Sequence, residues 1–86
     1  MTDEAALLVN QLTPREYEVL SLLAEGANSF QISRTLSISP NTVRTHVQSI
    51  LVKLQVHSRL EAVAFAARHR VVRSAPPVHT SLLLAT

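Results

Sequence analysis

The stretch Ile32-Ser33-Arg34-Thr35-Leu36-Ser37-Ile38-Ser39-Pro40-Asn41-Thr42-Val43-Arg44-Thr45-His46-Val47 decides the fold. It holds the end of one helical pattern and the beginning of the next. Ile32 and Leu36, four residues apart, supply the buried side of a short helix. Ser39 then offers a capping hydroxyl, and Pro40 suits the first helical position, where its missing N–H would have had no partner. Ile38, just before that cap, is placed to pack on Val43. Two helices with core residues are thus joined by only Ser37-Ile38-Ser39. A link this short with an apolar centre forces a tight angle, the geometry of a helix-turn-helix, with an ordinary αα-hairpin as the alternative.

Moving outward, the same punctuation recurs. Thr13-Pro14-Arg15-Glu16 carries a capping hydroxyl, Pro at the first helical position and Glu three residues after the cap. Leu12 and Tyr17 flank it as a hydrophobic staple, Val19, Leu20, Leu22 and Leu23 make an apolar face, and Gly26 is a natural stop. Asn28-Ser29-Phe30-Gln31 opens the second helix, with Asn28 as cap and Gln31 able to reach back. Ser58-Arg59-Leu60-Glu61 repeats the box and launches an Ala-rich fourth helix to about His69. Beyond Arg73, Ala75-Pro76-Pro77 breaks helix. The expectation is all-α: a compact four-helix bundle containing a helix-turn-helix. An acidic segment spans residues 1–11, the domain 12–70 and a flexible tail 71–86.

Eighty-six residues make one domain at most, and 47% hydrophobic with 16% charged residues is globular rather than disordered. One Gly and 3% aromatics argue against a β-sandwich or barrel. The overall charge of +2 hides an asymmetry. Up to Glu25, Arg15 stands against five carboxylates; from Gly26 onward seven cations stand against Glu61 alone. A cationic body suits an anionic partner such as nucleic acid, although a solvated surface has the same look. There is no Cys, hence no disulfide and no Cys-based zinc site. No signal peptide or membrane-length apolar run is visible, so a cytoplasmic protein is expected.

Turning the third helix by ~100° per residue separates its faces. Val43, Val47, Ile50, Leu51 and Leu54 fall on the core side. Asn41, Arg44, Thr45, Gln48 and Ser49 fall opposite, with Thr42, His46 and Lys53 along one flank. A plain bundle helix carries mixed charges and Glu–Lys pairs on its solvent side. This face has no carboxylate: it presents a guanidinium, two amides and two hydroxyls, groups that bond to base edges and phosphates.

Residues Leu12–His69 resemble the LuxR/NarL-type helix-turn-helix domain, found at the end of many response regulators and in stand-alone sporulation and quorum-sensing regulators. The resemblance rests on Leu12-Thr13-Pro14-Arg15-Glu16, Val19-Leu20, Gly26, Ile32, Leu36, Ile38-Ser39, Thr42-Val43, His46, Ile50, Lys53-Leu54, Val56, Ser58-Arg59 and Glu61-Ala62. It implies a bacterial transcription regulator whose third helix, about 40–54, enters the major groove, as a dimer on a pseudo-palindromic site. It places base contacts on Asn41, Arg44, Thr45 and Gln48. Phosphate contacts fall on Thr42, His46, Ser49, Lys53 and the start of the second helix, Asn28 and Ser29. The fourth helix is the implied dimer contact, where Leu60, Ala64, Ala67 and Arg68 stand; Leu60, Ala64 and Ala67 also form a small-residue stripe that suits helix pairing or a plain apolar patch. Where the family commonly has Asn-Lys, this chain has Ser29-Phe30, and where it commonly has glycines, Ser37 and Gln55. Each of the latter two implies a strained backbone or an altered turn.

Several residues have a plainer reading as well. Lys53 is either a snorkelling lysine or a partner for a phosphate or a first-helix carboxylate. Arg59 begins a helix, where a cation opposes the dipole, so a partner such as Glu16 or Glu18 is expected. His46, His57, His69 and His79 are too scattered for a metal motif, and no nucleophile, carboxylate pair or phosphate loop emerges. No metal, cofactor or enzymatic activity is expected. The alternative function is a protein-interaction module touching RNA polymerase, a sigma factor or a receiver domain. A sigma-factor promoter-reading domain is a related variant, disfavoured by His46 and by the run from Lys53 to Arg59.

Overall fold

In the computed structural model, which describes residues 4–69 and residue 71, the chain forms five α-helices: α1 (Glu4–Asn10), α2 (Pro14–Ala24), α3 (Ser29–Leu36), α4 (Pro40–Leu54) and α5 (Arg59–Arg68). No strand occurs among the described residues. Helices α2 to α5 are the four expected, and each begins at its anticipated cap. Thr13 and Glu16 close a reciprocal capping box, the Thr13 N–H reaching Glu16 Oε1 at 2.9 Å and the Glu16 N–H reaching Thr13 Oγ1 at 3.1 Å. Asn28 and Gln31 do the same for α3, both bonds being 2.8 Å. Ser39 accepts from the Thr42 N–H and Ser58 from the Glu61 N–H. Each such cap satisfies an N–H that the helix itself leaves without a partner.

Helix α1 lies within the segment expected to be merely acidic. A seven-residue helix is too short to persist alone in water, because nucleation costs more than so few bonds return. It forms because Ala5, Leu8 and Val9 pack against the core and the helix leans on α4. The apolar run there, Leu7-Leu8-Val9, is too short to show a helical period, so on sequence alone the segment reads by its charge.

Three helices stop in the same way. After α2, Gly26 takes φ +96°, and the Ala27 N–H turns back to Leu22 O at 3.0 Å. After α3, Ser37 takes φ 56°, with Ile38 N–H donating to Ser33 O at 3.0 Å. After α4, Gln55 takes φ 60°, with Val56 N–H donating to Leu51 O at 3.0 Å. Each is a left-handed cap of the Schellman kind. Of the two outcomes expected at Ser37 and Gln55, the backbone therefore keeps the left-handed turn and carries its strain, roughly 1–2 kcal/mol for an L-residue.

Helix α4 packs against all four other helices and is the centre of the domain. Its Val43, Ile50 and Leu54 are fully buried beside Val19, Leu20 and Ile32. Leu51, at the edge of the expected core face, is half-buried. Leu36 and Ile38 are half-buried against the same core, so the short α3–α4 link is held from inside. α5 ends at Arg68 with His69 as its C-cap, as expected. One boundary shifts: Val71, assigned to the tail, is buried with its N–H on Ala66 O. The rest of the expected tail, 72–86, lies outside the described residues.

Candidate nucleic-acid interface

A short α3, a three-residue link and the longer α4 make the expected helix-turn-helix. The apolar side of α4 is locked into the core, so its other side is held rigidly at the surface. Asn41, Arg44, Thr45 and Gln48 are all exposed there, and Ser49 is half-buried beside them. The Thr45 hydroxyl donates to Asn41 O at 3.1 Å, which fixes its rotamer and leaves its oxygen able to accept. Thr45, Gln48, Ser49, Val52 and Lys53 line a shallow open groove on this face. No Asp or Glu occurs between Gly26 and Leu60, so α3 and α4 present an anion with no repelling carboxylate of their own.

Several flanking residues already have partners. Thr42 Oγ1 lies 2.8 Å from Ser39 Oγ, within the α4 cap. The Asn28 side chain is occupied in capping α3, while Ser29 is half-buried at its first turn. His46 is half-buried. Lys53 Nζ makes an ion pair with Glu16 Oε1 at 2.7 Å, one of the two partners considered for it. Glu16 itself is buried, 6% exposed. Burial pushes its carboxyl pKa up, but the bond from Lys53, the bond from the Thr13 N–H and the positive field of Lys53 and His46 outweigh it. The net pKa lies below the ordinary glutamate value.

The partner expected for Arg59 is not Glu16 or Glu18. Glu16 belongs to Lys53, and Glu18 lies 3.3 Å from Arg15; Arg59 is exposed. On α5, Leu60 is 78% exposed, Ala67 and Arg68 are exposed and Ala64 is half-buried. Phe30 is 62% exposed, with the Arg34 guanidinium 5.7 Å from its ring centroid. One exposed residue on the polar side of α4 escaped the sequence reading. Val52, 77% exposed, was overlooked because polar side chains alone defined that face; its angular position was the available signal.

Fold and face together define a helix-turn-helix DNA-binding domain of the transcription-regulator class. Residues 10–66 match the luxR family of bacterial regulatory proteins, and the chain belongs to that family, one of DNA-binding domains rather than enzymes. It is 43% identical over 63 residues to the nitrate/nitrite response regulator protein NarL of Escherichia coli, covering 73% of this chain and 29% of that protein. It is 41% identical over 68 residues to the response regulator protein VraR of Staphylococcus aureus, covering 79% of this chain and 32% of that one. For VraR of Staphylococcus saprophyticus the identity is 40% over 70 residues, 81% of this chain and 34% of that one. The chain thus spans about a third of the length of the curated relatives it matches. No helix among the described residues is long and apolar enough to cross a membrane.

Proposed function

We propose that α4 lies in the major groove of duplex DNA and reads sequence there, as the DNA-reading part of a bacterial cytoplasmic regulator of the response-regulator kind. The observation that carries this reading is the exposed, carboxylate-free face of Asn41, Arg44, Thr45 and Gln48 on a helix whose reverse side buries Val43, Val47, Ile50 and Leu54. Arg44 suits the O6/N7 edge of guanine, and Asn41 and Gln48 suit the N6/N7 edge of adenine, each bidentate pairing discriminating by about 1–3 kcal/mol. Thr42, His46 and Ser49 flank the strip towards the phosphates. Ser29 adds the free N–H groups of the first turn of α3, where Asn28 holds the cap. Lys53 serves phosphate only through the donors that Glu16 leaves over.

Two copies pairing through α5, at Leu60, Ala64, Ala67 and Arg68, would present two α4 helices to half-sites about one helical turn apart on a pseudo-palindrome. Titration of labelled duplexes over a range of salt, followed by fluorescence anisotropy, tests the reading. Binding should weaken linearly in log salt through counterion release, and a selected site should be preferred over random duplex. Equal affinity for every sequence, or none for any, would remove it.

A further inference from the structure

The Val52 side chain stands outside the core. At 77% exposed, it gains little from burial, and valine is a poorer helix former than the long polar residues usual on a solvent face. Its placement is specific. At ~100° per residue it falls in angle between Thr45 and Gln48, along the midline of the polar strip, three turns and about 16 Å from Asn41. It lines the same shallow groove as Thr45, Gln48 and Ser49. Its neighbour Lys53, the cation that would lead that turn towards a phosphate, is held by Glu16 at 2.7 Å. A turn that met the sugar–phosphate backbone would call for a cation or a hydrogen-bond donor, and valine is neither.

We infer that Val52 is a specificity-determining residue, packing against the 5-methyl group of a thymine in the major groove. That methyl is the apolar feature of the major-groove edges, and aliphatic side chains read it by contact. The inference rests on α4 lying in the groove, and it adds that α4 lies along the groove over three turns rather than entering by its tip. The thymine falls at the end of the half-site read by the last turn of α4, opposite the end read by Asn41 and Arg44. Burying one methyl contributes about 0.8 kcal/mol, or about fourfold in affinity.

The test uses the full chain. Sites are selected from a random duplex library by the wild type and by Val52→Ala, an exposed substitution whose folding is checked by thermal melting. Val52→Ala is expected to lose preference for thymine at one position and to keep the others. Replacing that thymine by deoxyuridine, which lacks only the methyl, should weaken the wild type about fourfold and leave Val52→Ala unchanged. The inference is overturned if both proteins select the same sites and tolerate deoxyuridine equally. It is equally overturned if Val52→Ala weakens all sequences alike, as loss of a backbone or protein contact would. Should the wild type itself select no sequence, the groove reading beneath the inference fails first, and that outcome is recognisable without the variant.

Discussion

Lys53 Nζ lies 2.7 Å from Glu16 Oε1, tying the last turn of α4 to the first turn of α2. The same carboxylate oxygen accepts the Thr13 N–H at 2.9 Å, so one buried group closes a capping box and anchors α4. Replacing Lys53 with Met leaves that carboxylate buried and one bond short. The Lys53 side chain is 32% exposed, so solvent screens part of the pair; a loss of about 2 kcal/mol by urea denaturation is expected, below the figure for a fully buried pair.

The pair also sets the response to acid. The Glu16 pKa is lowered in the folded chain, where burial, which opposes this, is outweighed by Lys53 and the Thr13 N–H. Its contribution is therefore present above the unfolded glutamate value of about 4.3 and is lost as the pH falls through the lower folded value. In Lys53→Met the folded pKa rises. Urea midpoints measured from pH 7 down to pH 3 should show the wild type losing its advantage over the variant as Glu16 takes up its proton; a gap that stays constant with pH would mean the pair carries no such linkage.

Freeing Lys53 should change how the domain meets DNA. Glu16→Gln keeps a hydrogen-bond acceptor but removes the countercharge, so the ammonium becomes available to phosphate. The log–log slope of affinity against salt should steepen by about 0.9, one released counterion. An unchanged slope would mean that the ammonium stays out of reach of the backbone.

Ser37 and Gln55 hold left-handed backbone at φ 56° and 60°. Ser37→Gly and Gln55→Gly relieve the steric cost but give the unfolded chain more freedom, so each should stabilise by about 0.5–1 kcal/mol. For a domain of this size that is a rise of a few degrees in Tm. A fall in Tm would show that side-chain contacts at those turns outweigh the strain.

What could be read from the sequence was local punctuation and periodicity. Thr13, Asn28, Ser39 and Ser58 cap the helices they announce, because capping is decided within four residues. Val43, Val47, Ile50 and Leu54 are buried as their spacing requires. What escaped depends on contacts between distant segments. Helix α1 is made largely of good helix formers but is too short to hold alone, and it rests against α4. Choosing between Lys53 and Arg59 as the cation for Glu16 is a matter of three-dimensional reach over 37 residues. Val52 escaped for a different reason: an apolar side chain on an outward face is invisible to a search for polar ones, although its register was there to be counted.

Whether α4 reads bases through its acid-free face is best decided by selecting binding sites for the wild type and for an Arg44→Ala, Gln48→Ala double variant, both shown to be folded. The proposed mode predicts a defined site for the wild type and a broadened one for the variant, with discrimination lost at the positions facing those two side chains. An identical site with identical discrimination in both proteins would contradict it.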